Sequence, residues 1–149
     1  MLKIREVILE DVNALCDLYM NHLNKSNPEE PPDLAKKSEL LEKLIADPDY
    51  HILIGEADLQ IVSSVTIIII QNMTRNLRPY ALIENVVTHE DFRNNGYASK
   101  LMDHAGKIAE DNNCFKIMLM TGSKQDSTLR FYEKCGFNKN DKTGFIKWI

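Results

Sequence analysis

The chain predicts a mixed α/β fold: a largely antiparallel central sheet flanked by helices, in a single domain over residues 1–149. Three observations predict it. Short β-branched runs alternate with stretches whose apolar residues recur at helical spacing. Two early runs are joined by a tight turn, as in an antiparallel hairpin. Two later runs are joined through a helix, the connection a parallel pair requires. The resulting order, β-α-α-β-β-β-α-β-α-β, is neither purely doubly wound nor a barrel.

Leu2 to Val7 reads as a first strand. Asp11 is placed to cap a helix whose Val12, Leu15, Cys16, Tyr19 and Leu23 share one face. Pro28, Pro31 and Pro32 mark a loop, and Asp33 caps a second helix carrying Leu34, Leu41, Leu44 and Ile45. Tyr50 to Gly55 and Gln60 to Gln71 form the hairpin, the second strand being β-branched almost throughout. Tyr80 to Thr88 is the next strand. The helix after it carries Ala98, Leu101, Met102, Ala105, Ile108 and Ala109 on one face and ends at Asn112-Asn113. Cys114 to Thr121 is continuously apolar, as a strand buried on both faces would be. Ser127 or Thr128 caps a last helix, with Gly136 as its left-handed C-terminal cap and Phe137 packing back on it. Thr143 to Ile149 closes the chain as a strand.

Composition narrows the function. The sequence is 44% hydrophobic and 27% charged, ordinary for a globular domain of 149 residues. The densest apolar run, Val65 to Ile70, is too short to span a membrane, and the first residues lack the apolar core of an export signal. Cys16, Cys114 and Cys135 form no spaced framework, which points to a reduced, cytoplasmic protein. A net charge of −4 argues against nonspecific nucleic-acid binding. Residues 1–114 hold 11 Lys+Arg against 19 Asp+Glu, and residues 115–149 hold 7 against 3. His22, His51, His89 and His104 share no ligand spacing, so no metal site is expected. Walker A and Rossmann fingerprints are absent.

The most informative stretch is Arg93-Asn94-Asn95-Gly96-Tyr97-Ala98, between a strand and a helix. The first helical amides there have no partner within the helix and can receive an anion. Gly96 lets the backbone bend sharply and approach a ligand closely. Between Glu84 and Lys100 lie three acids and two bases. An anion held there is therefore held by amides and the helix dipole rather than by side-chain charge. Many such turns bind nothing, so the remaining residues must decide.

Arg93 to Ala98 resembles the Arg/Gln-x-x-Gly-x-Gly/Ala signature of the GNAT superfamily of acyl-CoA N-acetyltransferases. Phe131-Tyr132-Glu133-Lys134-Cys135-Gly136-Phe137 resembles its second signature, a helix ending in Phe-Tyr-x-x-x-Gly-Phe. The resemblance is specific from Ile83 to Phe137 and looser before that. It implies a GNAT-like sheet and acetyl-CoA as acyl donor. It implies a pyrophosphate cradle opened by Arg93 and made by the amides of Asn94, Asn95, Gly96, Tyr97, Ala98 and Ser99. It also implies main-chain bonds from Val86 and Thr88 to the pantetheine arm. Asn94 and Asn95 depart from the Arg or Lys and Gly common inside this turn. Gln125 stands seven residues before Tyr132, where an Asn usually bonds the cofactor arm.

Acetyl transfer to an amine needs a base for the amine, a donor for the oxyanion and a proton for the departing thiolate. Tyr132 is the candidate acid, a role the matching Tyr often plays in the family; its alternative is core packing. Glu84 is the candidate base, acting through water; its alternative is a salt-bridging carboxylate. The Val87 amide, or a neighbour, is the candidate oxyanion donor. Cys135 lies at the negative end of a helix, which disfavours a thiolate nucleophile. His89 is a cofactor or substrate contact or a surface histidine.

In the family the acceptor lies between the first two helices and the central strands, here Tyr19, Asn24 to Asp33 and Tyr80. Residues 29–49 carry seven acids against three lysines, which suggests a cationic amine on a small molecule or peptide. Three functions stay open: an acetyl-CoA-dependent N-acetyltransferase, a non-catalytic acyl-CoA-binding or regulatory module of the same fold, or an interaction protein whose turn is only structural. No nucleic-acid or membrane partner is expected. Family members are often dimers, which leaves a homodimer open.

Overall fold

The computed structural model of the chain describes residues 1–23 and 33–149. Among them a five-stranded sheet runs in the order β1-β2-β3-β4-β5. The strands are β1 (Lys3–Glu6), β2 (Tyr50–Ala57), β3 (Gln60–Ile70), β4 (Tyr80–Thr88) and β5 (Ile117–Leu119). The first four pair antiparallel, and β5 joins β4 in parallel across helix α3 (Tyr97–Asp111). The β2–β3 hairpin turns through Asp58 and Leu59, both at positive φ, which matches the right-handed twist of the flanking strands.

Alternation along the strands separates two faces. Leu53, Val65, Ile67, Ala81 and Ile83 pack against Leu101, Met102, Ala105 and Ala109 of α3. Ile52 and Ile54 face the other way, against Val7, Val12, Leu15 and Leu41. The last three come from α1 (Val12–Leu18) and α2 (Leu34–Ala46). Asp33 caps α2 as expected, accepting a hydrogen bond from the Ala35 amide at 3.0 Å. Helix α4 (Asp126–Lys134) lies on the α3 face, with Phe131 and Tyr132 against that cluster.

Four sequence expectations are corrected. Asp11 makes no capping bond to α1; its carboxylate instead accepts from the Ile8 amide of the preceding 3-10 turn at 2.8 Å and from both terminal nitrogens of Arg5 at 2.6 and 2.9 Å. The cationic fork outcompetes a helix-end amide. The first helix is not uniform: it widens to a π-helical turn over Tyr19–Leu23. Helix α4 starts earlier than predicted, with Gln125 at its N-cap and the Gln125 carbonyl accepting from Thr128 and Leu129.

The fourth concerns the last strands. Only Ile117–Leu119 of the Cys114–Thr121 run is strand, and it is half-buried; Phe115 and Lys116 before it still hydrogen-bond to Pro79 and Ala81. Its start is taken by the end of α3, where Asn113 is left-handed and the Cys114 amide donates to Ala109. Residues 143–149 form no strand, since so short an edge offers little to pair with. Phe145, Ile146, Trp148 and Ile149 are all exposed. Residues 24–32, which hold most of the predicted acceptor loop, lie outside the described residues. Among the described residues no helix is long and apolar enough to cross a membrane.

Candidate active site

Strand β4 carries an irregularity at its centre. Thr66 of β3 pairs with Glu84, but Ser64 pairs with Val87, so Asn85 and Val86 stand opposite Val65 alone. Asn85 takes the extra residue at φ +52°. Such a bulge bends its strand and breaks the ladder. Buried Ser63 steadies the bend by donating to the Val87 carbonyl at 2.9 Å. That carbonyl is therefore engaged within the sheet.

Beyond the bulge β4 no longer pairs with β5, whose last partner is Ile83 against Leu119. The separation opens a cavity of about 450 Å³. Glu84 and Asn85 line it from β4, Leu119 and Met120 from β5, and Tyr132 from α4. Glu84 and Tyr132 thus meet in one space, although 48 positions separate them in sequence. Burial, the neighbouring Cys135 and the negative charge of Glu84 raise the Tyr132 phenol above its ordinary value. The group stays protonated, as a proton donor must. Burial and Glu84 likewise raise Tyr50. Glu84 is the one charged side chain among the described residues that line the cavity.

Beyond β4 the chain makes a 3-10 turn, Glu90–Phe92, and then the cradle. Asn94 and Gly96 are both left-handed, at φ +64° and +73°. Asn tolerates this backbone better than most side chains, so it fits where family members carry other residues. Asn95 braces the turn, its amide donating to the carbonyls of Phe92 and Arg93 at 3.1 and 3.3 Å. Arg93 donates from Nε to the Thr88 carbonyl at 3.3 Å. Gly96 caps α3, and a Cβ placed there would meet nothing within 4 Å. The amides of Tyr97, Ala98 and Ser99 occupy the first turn, where no intrahelical acceptor exists. Amides without an intrahelical acceptor at such a turn can receive an anion.

Helix α4 is fixed by its C-terminal end. The amides of Phe137 and Gly136 donate to Tyr132 and Glu133, with Gly136 at φ +90°. This is the Schellman closure expected from Gly136, and the rings of Phe137 and Tyr132 meet edge to face. The second signature thus sets the position of Tyr132. Burial raises the thiols of Cys16, Cys114 and Cys135, against any nucleophilic role.

Other expectations separate from the cavity. Gln125 is exposed and does not line it. Tyr80 pairs with Ile70 at the far end of β4 and packs under Lys116. Tyr19 is directed to the sheet, its hydroxyl 3.2 Å from Ser64 Oγ. His89 accepts from the Asp91 amide through Nδ1, and its ring lies tilted against that of His22 at 4.0 Å between centroids. Both histidines border a separate cavity of about 420 Å³ with Glu10 and Asp17, which contains neither Glu84 nor Tyr132. Lining residues that the sequence did not mark as site residues include Leu23, placed by the π turn, Met120 and Trp148.

The model of the acetyltransferase (GNAT) family matches residues 12–137. The chain belongs to the GNAT family. Its relatives include a glucosamine 6-phosphate N-acetyltransferase of Trypanosoma brucei brucei, 26% identical over 95% of this chain and 92% of that protein. A putative acetyltransferase from Agrobacterium tumefaciens str. C58 is 33% identical, with a TM-score of 0.86 over 98% of this chain and 99% of the other. The glucosamine-6-phosphate N-acetyltransferase of Arabidopsis thaliana shares the fold at 21% identity, with a TM-score of 0.86 over 99% and 98%. GNAT proteins use acetyl-CoA as co-substrate, and the cradle and the parted strands suit that donor. Among the described residues no three His, Cys, Asp or Glu side chains gather as metal ligands would.

Proposed function

We propose that this GNAT protein is an N-acetyltransferase that moves an acetyl group from acetyl-CoA to a primary amine by direct attack. The observation that carries the proposal is the convergence of Glu84 and Tyr132 on the cavity where β4 leaves β5. Glu84, through a water, takes the proton of the incoming ammonium. The freed nitrogen attacks the thioester carbonyl, and a β4 amide near Val87 receives the developing oxyanion. The C–S bond then breaks, the departing sulfur takes the Tyr132 proton, and the phenolate is reprotonated by the second proton that the nitrogen must lose as the amide forms. The cradle amides hold the pyrophosphate and Val86 and Thr88 border the arm.

The acceptor we favour is a cationic amine, on a small molecule or a peptide. Among the described residues that line the cavity the one charge is the Glu84 carboxylate, and none of them is a lysine or arginine that would offer a phosphate a partner. The relatives named for glucosamine 6-phosphate make that amino sugar the competitor. One assay separates these readings: thiol release from acetyl-CoA with spermidine, kanamycin, lysine and glucosamine 6-phosphate. The expected result is turnover with a cationic amine, lowered most at low pH in Glu84→Gln. An unchanged profile in that variant removes Glu84 from the mechanism. Turnover with glucosamine 6-phosphate alone would refute the cationic acceptor. Tight acetyl-CoA binding with no release across the panel would favour the non-catalytic module.

A further inference from the structure

The tail of the chain reaches the reaction cavity. Trp148 lines it together with Glu84, Tyr132, Met120 and Leu23. The tail gets there by way of Gly144, whose backbone lies against Met120: a Cβ on Gly144 would come within 3.0 Å of the Met120 sulfur. Nothing in the sheet holds this segment, since residues 143–149 form no strand. Trp148 is 88% exposed, so its indole contributes almost nothing to the core. A large aromatic ring left in water at a cavity that also holds a carboxylate and a phenol needs a reason.

The side of the cavity on which Trp148 sits follows from strand register. Cradle and α4 belong to the α3 face, with Val86, Leu119 and Tyr132 packed against its core. Thr66, Ile52 and Glu84 are register partners and share the opposite, α1 face. Met118 pairs with Leu82, also on that face, and Met120 follows Met118 in the alternation. Gly144 touches Met120, and Leu23, the remaining wall, comes from the π turn on the same side. None of Arg93 to Ser99 lines this cavity.

We infer that Trp148 is a specificity-determining residue: its ring forms the wall that receives the acceptor, opposite the cradle, and holds a cationic amine against Glu84. The indole face attracts a cation through its quadrupole, and a carboxylate next to it adds the complementary charge. The inference deepens the proposed function and rests on it. Because the tail is unpaired, its position is set by what occupies the cavity, so the ring settles on the amine as it binds.

Trp148 is the only tryptophan of the chain, so its emission reports on this wall alone. Spermidine and kanamycin, each titrated onto the full chain loaded with CoA, should give a saturable change in emission. With the better of the two as acceptor, Trp148→Ala should raise the KM for the amine about tenfold. Trp148→Phe should recover part of that loss, and the KM for acetyl-CoA should stay within twofold in both. Circular dichroism should be unchanged, as truncating an exposed ring leaves the core intact. An emission change with CoA alone and none on adding amine would overturn the inference. So would a rise in the KM for acetyl-CoA in Trp148→Ala, or an amine KM that does not move. Emission is read without turnover: a wild-type chain that releases no thiol but shows the amine-dependent signal fails the proposed function and keeps the inference.

Discussion

The side of the site assigned to the donor is shaped by backbone turns, and the cavity wall assigned to the acceptor by side chains of distant segments. On the cradle side, two left-handed residues, Asn94 and Gly96, a bulge at Asn85 and the Schellman closure at Gly136 place the working groups. On the other side, Leu23 arrives from a π turn, Glu84 from a strand and Trp148 from an unpaired tail. Backbone geometry demands particular residue types wherever φ is positive. A wall of side chains accepts many combinations. In the proposed function, the donor is held by backbone groups and the acceptor is read by side chains.

The comparison breaks first at Tyr132, the one side chain that the cradle side contributes to the chemistry. Tyr132→Phe keeps the ring contacts with Phe131 and Phe137 and removes only the proton. General-acid contributions run to about 10²–10⁴-fold. The expected loss is therefore at least about 100-fold in kcat, with acetyl-CoA affinity and melting temperature unchanged. Steady-state kinetics beside a thermal-shift titration measure both. Full turnover in this variant would return Tyr132 to core packing.

That asymmetry also decides how much could be read from the sequence. Tyr80 to Thr88 was legible as a strand to the residue, and Gly136 as a helix stop, because both follow from local propensity and backbone need. The tight turn before α3 was legible because its left-handed backbone at Gly96 is a conformational requirement. The bulge was not: Asn85 carries no marker distinguishing it from any polar residue in a strand, and the bulge appears only when β3 is laid beside β4. The length of β5 failed for a related reason. Its apolar run looked long enough for a buried strand, but pairing partners on β4 end at Ile83. Asp11 was misread because its competitor, Arg5, lies on a different element. Trp148 was invisible as a site residue, since nothing in Thr143 to Ile149 says where a tail will lie.

A smaller effect sharpens the comparison at Gly96. An L-residue at φ +73° costs roughly 1–2 kcal/mol, and here the open space around the added Cβ removes any clash within the protein. Gly96→Ala should therefore weaken acetyl-CoA about tenfold, by strain in the cradle and by crowding the phosphates. The KM for the amine should stay put. Isothermal titration with acetyl-CoA and steady-state kinetics over amine concentration test the two halves. An equal loss on both substrates would mean that the cradle and acceptor wall are not separable.

The smallest effect on chemistry belongs to Asp11, which anchors the first helix on the acceptor side without touching the cavity around Glu84. The hydrogen bonds from Arg5, with that from the Ile8 amide, hold its carboxyl below the usual carboxylate range. The folded state therefore favours the ionised form. The stability this supplies is present above the ordinary carboxylate value and is lost as pH falls through the lowered one. Arg5 also reaches Glu56 at 2.7 Å, so removing one partner leaves the guanidinium still paired. Asp11→Asn should accordingly cost only about 1 kcal/mol at neutral pH, between the values for exposed and buried pairs. For a chain of this size that is a fall of about 2–4 °C in melting temperature. The gap from wild type should close toward acid pH, where Asp11 itself becomes protonated, and kcat should not move. Melting curves taken from neutral to acid pH measure it. A gap that stays constant with pH would place the loss in packing rather than in the charge. A drop in kcat would tie the Arg5–Asp11 pair to the acceptor wall through α1 and the π turn that carries Leu23.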